Sequence, residues 1–192
     1  MGPAPAAAAA RLVVEEGQDY GAAKKRAVKA LGLPGRSELP SNEQVEDEVR
    51  AYIDLICADT QPAELAALRE LAATWMERLA EFRPHLTGAV WRGTATRLND
   101  IHLQLFCDDP KSAEIDLINQ GLDYQVGATQ GFRGESVDVL SLSVPCPALS
   151  EHIGLHLSVL DHDDLRGALQ VDALGLTARG DLKALAQLLE NT

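Results

Sequence analysis

At 192 residues the chain is long enough for one domain with a sizeable core plus a smaller appendage, and with 46% hydrophobic but only 4% aromatic residues that core must be built from Leu, Val, Ile and Ala. Its net charge of −12 argues against broad binding to nucleic acid or to a membrane surface, both of which need Lys and Arg to replace counterions. No apolar run reaches membrane-spanning length, and Cys57, Cys107 and Cys146 have neither zinc-knuckle nor Cys-x-x-Cys spacing, so they read as free thiols in a reducing compartment.

Residues 1–10, MGPAPAAAAA, lack the basic start and Leu-rich centre of a secretory signal and are expected to form a flexible tail on a cytoplasmic protein. Residues 11–60 form an N-terminal helical segment. Its first part, Arg11 to Leu31, is a helix or a helical pair broken around Gly17 and Gly21, and ends at Gly32-Leu33-Pro34-Gly35. The Lys24-Lys25-Arg26 cluster is either a solvated helix face or a contact for an anionic partner. A second helix opens at Ser41 or Asn42, with Val45, Val49, Tyr52, Ile53 and Ile56 on one side.

A third helix starts near Pro62, carries Leu65, Leu68, Leu71, Trp75, Leu79 and Phe82 as its apolar stripe, and ends before Pro84. Strands are expected near 86–91, 100–107, 137–144 and 152–160. Between them lie an Asp108-Asp109-Pro110 turn, a helix from Ser112 to Gln120, a short strand at Tyr124 to Val126 and a loop from Gly127 to Gly134. In 152–160, His152, Gly154, His156 and Ser158 share the polar face. Asp163 or Asp164 would cap a helix from Leu165 to Leu169, although Asp161-His162-Asp163-Asp164 is also the densest group of potential metal ligands. A capped helix from Asp181 to Leu189 closes the chain. No P-loop and no Gly-x-Ser-x-Gly elbow occurs.

The chemistry concentrates in GAVWRGTATRLNDIHLQLF. Alternation puts Asp100, His102, Gln104 and Phe106 on one strand face and Ile101, Leu103, Leu105 and Cys107 on the other. Gly88, then Gly93-Thr94-Ala95, then Asn99-Asp100-Ile101-His102-Leu103 resembles the signature of the nucleotidyltransferase fold, the superfamily of DNA polymerase beta and the minimal nucleotidyltransferases. The resemblance implies an α+β fold, a mixed β-sheet flanked by helices, over residues 61–192. It also implies a nucleoside triphosphate held at Gly88, Ala89, Gly93 and Thr94. Divalent metal, Mg²⁺ or Mn²⁺, would sit on Asp100, His102 and, by order and context, Asp138. Two positions depart from the family: Ala89 replaces a serine and His102 replaces the second aspartate. Imidazole suits Mg²⁺ less well than a carboxylate does. The expectation is therefore a divergent nucleotidyltransferase acting on a hydroxyl of a small molecule or protein, or a non-catalytic nucleotide-binding or regulatory module on the same fold.

Overall fold

The computed structural model describes residues 4–35, 37–169 and 177–191. The architecture is α+β, and the chain divides into two compact units: Met1–Ala63 with Thr94–Leu98, and Glu64–Gly93 with Asn99–Thr192.

The first unit is helical: α1 (Ala4–Glu16), α2 (Tyr20–Ala30) and α3 (Asn42–Ile56). Ala9, Ala10, Val13 and Val14 of α1 are buried with Ala23 and Ala27 of α2 and Val45, Val49 and Ile53 of α3. The expected tail is thus corrected from Ala4 onward, while residues 1–3 lie outside the described residues. Alanine is the best helix former, and its small side chain lets neighbouring helices approach closely, so an Ala run that looks featureless supplies a packing face. Gly17, at φ +68°, ends α1, and a Cβ there would fall 3.3 Å from Leu98. Asp19 caps α2 by accepting from the Ala22 N–H. Ser41 and Gln44 form a reciprocal capping box at the start of α3. Two residues of the basic cluster have partners inside this unit: Lys24 Nζ donates to Asn42 Oδ1 at 2.6 Å, and Arg26 pairs with Glu16 at 2.5 Å. For those two, the internal role accounts for the charge.

The second unit begins in the first turn of α4 (Gln61–Arg78), followed by a 3₁₀ turn at 80–82. Next come β1 (His85–Thr87), α5 (Gly88–Arg92), β2 (Ile101–Cys107), α6 (Ser112–Asn119), β3 (Gln125–Gln130), β4 (Ser136–Cys146) and β5 (Glu151–Asp161). Then follow α7 (Leu165–Ala168), β6 (Arg179–Gly180) and α8 (Leu182–Glu190). The six strands form one mixed sheet in the order β3-β4-β5-β2-β1-β6. β2 and β5 are parallel; every other pair is antiparallel.

Register and alternation split the sheet into two faces. One face carries Leu86, Ile101, Leu103, Leu105, Leu140, Leu142, Leu155 and Leu157, all buried. The other carries Thr87, His102, Gln104, Ser141, Gly154, His156 and Ser158. Among the described residues, the far end of this second face is closed where Phe106, Leu160 and Ala168 are buried together, with Val137 and Leu165 packed against them.

Three local expectations change. The strand expected over 86–91 stops at Thr87, because Gly88 takes φ +74° and turns the chain into α5. That helix ends at Gly93, φ +90°, where the buried Arg69 donates to the carbonyls of Val90 and Trp91. The loop expected from Gly127 is strand as far as Gln130, paired along β4. Every residue of β3 is exposed, so no buried face left an alternation to read. At the helix near 165, Asp161 makes the cap, accepting from the Asp163 N–H at 2.8 Å, whereas Asp164 makes no capping bond.

Candidate functional site

The side chains able to do chemistry converge on the open face where β2, β5 and β4 lie side by side. His102 of β2 is directly opposite His156 of β5, and Ser141 of β4 is opposite His156 on its other side. The two imidazoles are stacked, with centroids 4.9 Å apart and planes 20° from parallel. Asp100, at the entrance of β2, reaches across to His156, its Oδ2 2.7 Å from Nε2. On the other side of the ring, Ser141 Oγ lies 2.8 Å from Nδ1. Gly154 makes this reach possible. A Cβ at that position would fall 2.5 Å from the Asp100 carboxylate, a separation that side-chain atoms do not tolerate. A glycine in a strand interior otherwise weakens the strand, and here it marks a close approach.

Hydrogen-bond chemistry fixes the direction of the chain of contacts. An ionised carboxylate only accepts, so Nε2 carries the proton that it donates to Asp100. In the neutral ring Nδ1 is then a bare lone pair, which accepts the Ser141 O–H. The bond from His156 holds the Asp100 carboxyl below its ordinary range, against the opposing effect of burial. The charge of His156, that of His102 and a backbone bond from Gly154 add to the lowering. His102 keeps part of its surface open to solvent, yet the atoms crowded round its ring displace enough water to push its pKa down. Repulsion from His156 acts the same way, while Asp100 opposes both.

The sequence-predicted residues are distributed as follows. Asp100 and His102 come together on the open face, and Gly88 joins them, since a Cβ on Gly88 would lie 3.9 Å from His102 Cδ2. Ala89 follows in the first turn of α5. Gly93 ends α5 and leaves room for Arg69. Thr94 belongs to the other compact unit, where its hydroxyl is buried with no hydrogen-bond partner. Asp138 is not part of the constellation. It pairs with Ala128, falls by alternation on the face of Leu140 and Leu142, and has Lys111 Nζ 3.9 Å from its carboxylate. A metal site shared by Asp100, His102 and Asp138 is therefore corrected: the sheet stands between them. Among the described residues no three His, Cys, Asp or Glu side chains are grouped to hold a metal ion.

Sequence reasoning missed Ser141, Gly154 and His156 as site residues. The polar face of 152–160 was visible, but which strand lay beside it was not, since a parallel pairing across more than forty residues leaves no local mark. Of the remaining acids and thiols, Asp109 serves its turn, accepting from the Lys111 N–H, and burial pushes the Cys107 thiol up to about 11, leaving it inert. Asp161 is committed to capping. No helix among the described residues is long and apolar enough to cross a membrane. No protein-family model, no curated protein and no solved structure matches this chain.

Proposed function

We propose that this chain is a cytoplasmic, nucleotidyltransferase-like protein whose open sheet face binds a nucleoside triphosphate without transferring it. The observation that carries the reading is the placement of Gly88, at the turn into α5, against the His102 ring on the face that also presents Asp100. The turn expected to hold phosphate and the acidic end of β2 thus meet in space, as the resemblance of GAVWRGTATRLNDIHL implies.

The donor set supports binding over turnover. Nucleotidyl transfer of this kind needs two divalent cations held by carboxylates that face the substrate. Among the described residues one carboxylate on this face, Asp100, stands with two imidazoles, and it already accepts from His156. Asp138 supplies nothing to that side. These residues do not fit a pair of Mg²⁺ ions. Mg²⁺ or Mn²⁺ would arrive as the counterion of the triphosphate, with Mn²⁺ the better match to imidazole.

Calorimetric titration with ATP, GTP, CTP and UTP, each with Mg²⁺ and with Mn²⁺, tests this. At least one nucleotide should bind, and no pyrophosphate should be released over hours. Absence of binding by all four overturns the reading. Stoichiometric pyrophosphate release would establish the active nucleotidyltransferase instead.

A further inference from the structure

The open face also contains a hydroxyl, an imidazole and a carboxylate joined in line, an arrangement with a chemistry of its own beside nucleotide binding. We propose that Ser141 is a nucleophile toward small activated carboxylic esters, with His156 as its general base and Asp100 as the residue that positions His156. Geometry carries this on three points. Ser141 Oγ is 2.8 Å from His156 Nδ1, within reach for proton transfer, and the serine is half-buried rather than sealed in the core. Because Asp100 accepts from Nε2 at 2.7 Å, the neutral ring presents its lone pair to the serine. The ring is fixed in plane by the stacked His102 on one strand and by Asp100, which occupies the space that Gly154 leaves empty.

The reaction balances without a cofactor. Ser141 Oγ attacks the ester carbonyl carbon while its proton passes to His156 Nδ1. The carbon–oxygen bond to the alcohol breaks, and the alcohol leaves with that proton. Water then attacks the acyl–Ser141 ester and gives a proton to Nδ1, which returns it to Ser141 Oγ as the acid departs. The sum is ester plus water to acid plus alcohol. Ser141 is half-buried on this face, so the substrates proposed have short acyl groups and good leaving groups.

This proposal shares Asp100 with the nucleotide reading but can fail independently of it, because its test involves no nucleotide. The full chain is incubated with a fluorophosphonate probe and, separately, with p-nitrophenyl acetate. Phosphonylation should occur at Ser141, displacing fluoride, with a rate that follows a single ionisation. Ser141→Ala should abolish labelling at that position, and Ser143→Ala should leave it unchanged. His156→Gln should slow labelling by about 10²-fold or more, the usual contribution of a positioned base. Asp100→Asn should slow it less and shift its pH profile, which loss of a purely structural contact would not do. Each variant is checked for fold by circular dichroism. No labelling of Ser141 in the folded wild type overturns the proposal, and so does an unchanged rate in folded His156→Gln.

Discussion

The two faces of the sheet obey the same alternation and have opposite chemistry. On the packed face the residues are apolar, fully buried and defined chiefly by size: Leu103 and Leu157 sit in register as partners, each with no exposed surface. One position along, His102 and His156 are also partners in register, but each residue there is defined by what it bonds. Leucine at 157 asks for a neighbour of the right volume. Histidine at 156 asks for a carboxylate on one nitrogen, a hydroxyl on the other and a glycine two residues before it. Stability should therefore reside on the first face and specific chemistry on the second.

The largest expected effect comes from the packed face. Leu157→Ala should destabilise the second unit by about 2–5 kcal/mol, the range for a cavity at a fully buried leucine, read by chemical denaturation. Ser158→Ala, its neighbour on the open face, should shift stability by no more than about 0.5 kcal/mol. Near-equal losses would erase the contrast. Next is Gly154→Ala, where the added methyl collides with the Asp100 carboxylate. Asp100 can swing aside, so the expected loss is no more than about 1 kcal/mol, as for an exposed pair, and the Asp100–His156 bond should be broken in a structure of the variant.

Acid should weaken the second unit in a definite direction. Burial lowers the pKa of His85, whose Nδ1–H donates to the Arg83 carbonyl, and crowding lowers that of His102. Both groups bind protons more readily when unfolded, so their contribution to stability is complete above the ordinary histidine value. It is lost as pH falls through their depressed folded values. Denaturation midpoints should therefore decline from pH 7 to pH 5, and replacing His102 with Gln should reduce the decline. A flat profile would remove the burial argument.

Smaller still is Asp100→Asn. Asp100 is substantially exposed, and such pairs contribute about 0–1 kcal/mol, so its loss should be felt at His156 far more than in stability. Asp138→Asn, on the opposite face, should change stability by no more than about 0.5 kcal/mol and leave the imidazoles of His102 and His156 undisturbed.

What the sequence revealed follows the same division. The buried alternation of 101–107 and 153–159 is a local property, and so are the caps at Ser41 and Asp181; all were legible from spacing and residue type. Asp100 and His102 could be placed on one face because two residues of a strand share it. Asp138 was misplaced because order along the chain says nothing about which face a later strand presents: a shift of one residue in register reverses every side chain. His156 and Ser141 were invisible for the complementary reason, since their partnership exists only once β5 lies between β2 and β4. The Ala run of α1 misled differently. Its packing face consists of methyl groups, which carry little hydrophobic contrast in a pattern and suffice once α2 and α3 are close.

The most direct test of the central claim, that the open face around Asp100, His102 and His156 is the functional site, is a ¹⁵N imidazole spectrum of the five histidines at neutral pH, recorded without and with the Mg²⁺ complexes of the four nucleoside triphosphates. His156 is predicted to be the Nε2–H tautomer in the free protein, because its Nε2 faces a carboxylate. At least one nucleotide should then move the resonances of His102 and His156 while leaving His85, buried at the start of β1, in place. An Nδ1–H tautomer at His156 in the free protein would contradict the account, as would nucleotide-induced shifts that spare both His102 and His156.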